Sequence, residues 1–217
     1  MSVLSRKSIE DRLRIPLSKA ESLVITPLLR AGDPFDYDSI DLRLGCYFLI
    51  PQSPPAPFLD PAQENSARRS HLKVHKPLGS YLVVPPHQTV LGATLEFIKL
   101  PHDVSGQILT KSSVARTFLL IETAPWVHPL YRGCLTLEIA NVSNTPQVLY
   151  PGFHIGQLIL IQNDQPADMT QPLSAAYVGP IEPETPTLKH PREVLGSIGV
   201  RRYLDPHTSD WLDTSST

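Results

Sequence analysis

LTKSSVARTFLLIETAPWVHPLYRGCLTLEIANV, Leu109 to Val142, is the run on which the fold turns. Near its end Leu135, Leu137 and Ile139 alternate with Thr136, Glu138 and Ala140, the period of two expected of a β-strand with one face on a core. Glu138 then stands on the face away from the leucines. Upstream, Lys111-Ser112-Ser113-Val114-Ala115-Arg116 gathers two cations, two hydroxyls and the N–H groups of a turn or short helix start, a combination suited to a polyphosphate. An acid facing the same cavity as that bend would make a reactive pair. On spacing alone, a solvated strand glutamate and a solvated basic turn stay open as readings.

The flanks repeat the strand signal. Leu23-Val24-Ile25 reads as a strand closed by Pro27. In Ser39 to Gly45, alternating Ile40, Leu42 and Leu44 leave Asp41 and Arg43 on the other face, as a structural ion pair. SYLVVPPHQTVLGATLEFIKLP, from Ser80, resumes the pattern, with Pro85-Pro86 as a corner and Gly92 as a bulge or close approach. Gln147 to Tyr150 and Ile155 to Ile161, joined through Pro151-Gly152, read as a final hairpin. Ser5 to Leu13 predicts a short helix, and residues 51–79 a proline-rich, then basic, surface excursion. Beyond residue 162 the chain turns polar and proline-rich, with a short helix near Arg192 to Leu195 and docking aromatics in Tyr203 and Trp211.

Composition agrees with many short strands: 23 prolines in 217 residues punctuate the chain, about twice ordinary usage. A formal charge of −2 gives no global basic field, which disfavours wrapping of nucleic acid or binding to an anionic membrane. Cys46 and Cys134 lie far apart in strand-like runs and read as buried thiols of a reduced protein. With no signal-like start and no run approaching the ~20 apolar residues of a membrane span, the expectation is a soluble, cytoplasmic protein. One β domain over 1–162 and an arm over 163–217 are expected.

The chemistry narrows by elimination. The H-x-E and P-C-x-x-C pair of zinc deaminases is missing, as are G-x-S-x-G, the P-loop and G-x-G-x-x-G. General acid–base work by one carboxylate on a phosphate-anchored substrate remains.

The same run resembles the dCTP deaminase branch of the trimeric dUTPase-like superfamily. There G-K/R-S-S-L-x-R is followed by T-A, a D-P-G turn, G-x-x-x-L-E and an asparagine. Lys111 to Arg116, Thr123-Ala124, Pro129, Gly133, Leu137-Glu138 and Asn141 fall into those places. Ser39 to Gly45, Leu91 to Pro101 and Tyr150 to Leu158 match the family's S-I-D-V-R-L-G, L-G-x-T-L-E-x-x-x-L-P and Y-P-G-x-x-I-G-Q-L, in the family's order.

The resemblance implies an all-β, dUTPase-like jelly-roll or β-clip barrel with short peripheral helices, trimeric, with active sites at subunit interfaces. It implies deamination of dCTP to dUTP and ammonia without a protein-bound metal, magnesium riding on the triphosphate. Glu138 would move the protons, Ser112 and Arg116 would position water, carboxylate and phosphates, and the backbone at Ala124 would hold the base. Lys111, Ser113 and Gln157 would contact phosphates, with Thr123, His128 and Tyr177 also about the substrate.

Departures from the pattern define the alternatives. His128-Pro129-Leu130 replaces D-P-G and removes a carboxylate that dUTP-hydrolysing relatives use. The loop before Thr123 is one residue short and carries Glu122 where the family has a histidine. Pro125 and Trp126 replace small or polar residues, and Tyr177-Val178-Gly179-Pro180 keeps the arm's tyrosine without its glutamine. Alternatives to the deaminase are therefore a dUTP diphosphatase or bifunctional enzyme, and a catalytically impaired nucleotide-binding paralogue.

Overall fold

The computed structural model describes residues 2–28, 34–52, 70–121, 124–168 and 179–185. Two antiparallel sheets face each other across a shared core. The first holds β1 (Ser2–Val3), β3 (Ser39–Arg43), β8 (Val104–Thr110), β10 (Trp126–Val127) and β13 (His154–Gln162). Its axis is β13, which pairs with β8 along one edge and with β3 and β1 along the other. The second holds β2 (Val24–Thr26), β4 (Tyr47–Pro51), β5 (His71–His75), β7 (Thr89–Lys99), β9 (Leu119–Ile121) and β11 (Arg132–Asn141). A two-stranded ribbon of β6 (Leu82–Val84) and β12 (Gln147–Leu149) completes the fold.

Alternation sets the inner faces. Ile40, Leu42, Leu158 and Leu160 of the first sheet and Leu137 and Ile139 of the second are almost fully buried in one cluster. Each such side chain is worth about 1.5–3 kcal/mol against exposure. Gly92 is a close approach: a Cβ there would meet Leu44 Cδ1 and Ile139 Cδ1, each at 3.1 Å. The irregularity lies just beyond it. Cys134 pairs with Phe97 and Thr136 with Ala93, so β7 carries extra residues between them. Thr94 fills the break, its Oγ1 accepting from Leu135 N–H at 2.9 Å and donating to the Glu96 carbonyl at 2.8 Å.

The expected N-terminal helix is α1 (Arg6–Leu13), with Ile9 buried beneath it. Arg12 on α1 grips Asp103 with both guanidinium arms, at 2.9 and 2.5 Å, and Gln162 Oε1 at 2.9 Å. Gln162 Nε2 returns a bond to the Asp103 carbonyl at 3.1 Å. The helix is thereby fastened to the start of β8 and the end of β13.

Three expectations change. The 51–79 excursion contains a strand, because His71–His75 pairs with β4. Its lysine and histidines conceal it in sequence, and they suit an exposed sheet edge. The last two strands form no hairpin: β12 pairs with β6, while β13 goes to β8 and β3. The turn between them is pinned to Leu44, whose carbonyl accepts from Gly152 N–H at 2.7 Å and whose N–H donates to Phe153 O at 2.9 Å. Gly152 supplies the positive φ of 88° that the turn requires. Asp41 and Arg43 do not pair either. Residues two apart on a strand are separated by about 6.8 Å, and each finds a closer partner of opposite charge. Arg43 Nε donates to Glu96 Oε1 at 2.6 Å inside the core, and its NH2 reaches the Pro27 carbonyl at 2.6 Å. The helix and aromatics expected after residue 186 lie outside the described residues.

Candidate active site

Glu138 lies in β11 directly opposite Leu91 of β7, which in turn pairs with Leu49 of β4. Leu137 and Ile139 on either side of it point into the core, so Glu138 projects from the outer face of the second sheet. It is half-buried, and its Oε2 is shut off from solvent.

The Lys-Ser-Ser bend closes the crossover from the first sheet to the second. Lys111 is the N-terminal flank of α2 (Ser112–Ala115), its carbonyl accepting from Val114 and Ala115 N–H at 2.9 Å each. Arg116 ends the turn, donating its N–H to Ser112 O at 3.2 Å. Ser112, Ser113 and Arg116 are all exposed. Phe118, at φ 65°, redirects the chain into β9, and its carbonyl accepts from Val142 N–H at 3.0 Å. Thr110 fastens the two ends of the bend together, because its Oγ1 accepts from Ile121 N–H at 2.8 Å.

Lys111 turns back over the first sheet. Its ammonium forms an ion pair with Asp41, and its N–H donates to Ile155 O at 3.0 Å. Asp41 is directly opposite Gln157, and Gln157 is opposite Leu109. These three side chains share a face with Gln107 and Trp126, which pair one step along the sheet. Ile40, Leu42, Leu158 and Ile108 occupy the inner face. Lys111, Asp41 and Gln157 thus gather on the outer face of the first sheet.

Within one chain, therefore, Glu138 and the Lys111 side of the bend belong to outer faces of different sheets. The bend leads directly into β9, which pairs with the Glu138 strand at Ile139 to Asn141. Ala124 is exposed at the head of β10, where Pro125 O accepts from Ile108 N–H at 2.9 Å. His128 is also exposed and closes a turn by accepting from Tyr131 N–H at 3.3 Å. Leu130, where D-P-G would place its glycine, holds a φ of 65°. Thr123 and Tyr177 lie outside the described residues.

Part of the C-terminal arm docks on β11 upstream of Glu138. Cys134 N–H donates to Pro180 O and Gly179 N–H to Arg132 O, both at 2.7 Å, and Glu184 N–H reaches Thr136 Oγ1 at 3.2 Å. Gly133 makes room for it: at φ 142°, a Cβ there would lie 2.5 Å from Pro180 Cδ. The arm's Glu182 pairs with Lys73 of β5. Cys134 beneath it is buried, which raises its thiol pKa, with the charge of Glu96 adding to the effect. Burial, then Cys134 and Glu184, likewise push Tyr131 up, and its hydroxyl donates to Cys134 O at 2.8 Å.

Sequence reasoning missed Asp41 as a member of the bend's surroundings, and it missed Pro180 as the arm's anchor. Gly133 ahead of a strand was the available signal for the second. Asn141, a motif residue, is structural: its amide donates to Val84 O, Pro85 O and Thr145 O at 3.0, 3.0 and 2.9 Å. Among the described residues, no three His, Cys, Asp or Glu side chains are grouped to hold a metal ion, and no helix is long and apolar enough to cross a membrane.

A family model described as dCTP deaminase-like matches residues 3–163. The dUMP-forming dCTP deaminases of Mycobacterium ulcerans (strain Agy99) and Mycobacterium leprae (strain Br4923) are each 37% identical over 153 residues, covering 68% of this chain and 78% of theirs. The crystal structure of 2'-deoxycytidine 5'-triphosphate deaminase from Agrobacterium tumefaciens superposes with a TM-score of 0.55 at 21% identity, over 73% of this chain and 47% of that one. That last likeness is one of fold.

Proposed function

The chain belongs to the dCTP deaminase-like family, and from that premise we propose the reaction and the roles of its residues. It is a hydrolase that removes the exocyclic amine of dCTP. Glu138 takes a proton from a water as its oxygen attacks C4 of the cytosine and passes it to N3, then carries the proton of the new C4 hydroxyl to the amine. The C4–N bond breaks, ammonia leaves, and a uracil carbonyl remains. The half-buried setting of Glu138 opposite Leu91, with its Oε2 shut off from solvent, is the observation that carries this reading. A carboxylate with one oxygen withdrawn from water is placed to exchange protons with a bound base.

Ser112 and Arg116 position water and phosphates, the backbone at Ala124 holds the base, and Lys111, Ser113 and Gln157 meet the phosphates. Thr123, His128 and Tyr177 surround the substrate. The nucleotide brings its magnesium as part of the substrate; Asp41, the carboxylate beside the bend, is engaged by Lys111. Lys111 and Gln157 lie on the outer face of the first sheet and Glu138 on that of the second, which favours a complete site that takes Glu138 from one subunit and the bend from a neighbour. A homotrimer, acting in the cytoplasm, satisfies that requirement.

Ammonia release from Mg–dCTP, with Glu138→Gln alongside, tests the reading. Loss of one acid–base group costs ~10²–10⁴ in rate, so equal traces from the two proteins would refute it. We assign dUTP as the product, because the His128-Pro129-Leu130 turn carries no carboxylate. The dUMP-forming names of the relatives favour a second reading in which diphosphate is also released. Pyrophosphate appearing in step with ammonia would establish that one.

A further inference from the structure

Resting on that reading of the bend as a phosphate cradle, we propose that Asp41 is a positioning residue for nucleotide binding. It holds the Lys111 ammonium beside Gln157, so that the lysine meets the polyphosphate without leaving the carboxylate.

The ion pair is largely withdrawn from water, the side chains of Lys111 and Asp41 being 28% and 14% exposed. The Asp41 backbone is bonded on one side and paired on the other. Its N–H donates to Pro34 O at 2.8 Å, and β13 presents Gln157 directly opposite. The decisive atom is Asp41 Oδ1, which is buried and accepts no hydrogen bond from the described residues. Lys111 is therefore the charge that compensates this carboxylate. Were the ammonium to swing away to a phosphate, it would leave a buried anion uncompensated, which costs more than the new contact returns. An ammonium has three N–H donors, so it can keep Asp41 and still offer donors outward. A free lysine would have to give up several rotamers on binding, whereas this one has already given them up. The outward row is then Lys111, Gln157 and the serine bend, fixed in one direction.

Five proteins decide the matter: wild type, Asp41→Asn, Asp41→Glu, Lys111→Met and the double variant of Asp41→Asn with Lys111→Met. Each is assayed for kcat and KM with Mg–dCTP, for dCTP affinity by calorimetry, and for thermal stability. Asp41→Asn should raise KM and Kd about tenfold with kcat little changed, and the double variant should bind no worse than Lys111→Met, because the two residues act as one unit. Asp41→Glu, which keeps the charge, should recover part of the affinity and covers the case in which the asparagine variant does not fold. A KM for Asp41→Asn equal to or below wild type would overturn the proposal, since the carboxylate would then be idle or competing with phosphate. Additive effects of the two substitutions would overturn it as well. A wild type that binds dCTP but releases no ammonia would end the deaminase reading while the affinity cycle still judged Asp41. A wild type that binds no dCTP would end both.

Discussion

Arg43 Nε lies 2.6 Å from Glu96 Oε1, and the side chains are only 10% and 2% exposed. The second carboxylate oxygen accepts from the backbone N–H of Arg43 at 2.9 Å. This pair joins β3 of one sheet to the irregular stretch of β7 in the other, where Thr94 also bonds. Glu96→Gln would leave the guanidinium buried without its counter-charge, and removing one partner of such a pair costs about 3–5 kcal/mol. Denaturant melts should show that loss. A double change to Met at 43 and Leu at 96 should recover most of it, and a Glu96→Gln protein as stable as wild type would refute the assignment.

Acid should loosen the attachment of α1. Burial works to raise the Asp103 pKa, but hydrogen bonds from Arg12 and Gln162 together with the Arg12 charge outweigh it and hold the group below 3.8. A carboxyl depressed in the folded state adds stability that is complete above its unfolded pKa and is lost as pH falls through the folded one. Melting temperatures of wild type and Asp103→Asn should therefore differ most near neutrality and converge below pH 3.8. A constant gap across that range would show that the charge is irrelevant.

Gly133→Ala should dislodge the arm. The new methyl would fall 2.5 Å from Pro180 Cδ at a φ of 142°, so either the proline withdraws or the β11 backbone shifts. Faster amide exchange at residues 179–185, with a stability loss on the order of 1–3 kcal/mol, is the expected outcome. Unchanged protection of that segment would mean that Pro180 does not anchor it.

Mixing should restore activity to two dead proteins. Glu138→Gln supplies an intact bend, and Arg116→Ala an intact acid. When the two are unfolded and refolded together in equal amounts, about a quarter of the sites in a cyclic trimer combine both good halves. Ammonia release near that fraction of wild type supports composite sites. Recovery no better than the separate proteins would place acid and bend in one chain.

The fold was largely legible because its signal is local. Leu135, Leu137 and Ile139, or Ile40, Leu42 and Leu44, state their facing by alternation alone. The motif order carried the family. What sequence could not supply was partnership across the sheets. Asp41 and Arg43 looked like each other's partners, yet Lys111 lies 70 residues from the first and Glu96 53 residues from the second. The His71–His75 edge strand escaped notice because edge strands tolerate charge. The final hairpin failed because one glycine turn, pinned to Leu44, changes sheets. For the site, alternation gave the face of Glu138 within its own strand, but not which strands and faces come together around it. That depends on register, which a bulge such as the one at Thr94 resets without trace in composition.

The arm's position along β11 has one more consequence. Among the described residues β9 pairs with β11 over Ile139 to Asn141, and the arm's bonds fall farther along the same strand, on Arg132 to Thr136. Bare peptide groups on a strand border recruit strands from other molecules, and the bonds of this short segment occupy that border. A chain cut before Gly179 should therefore fold yet grow sticky as it is concentrated.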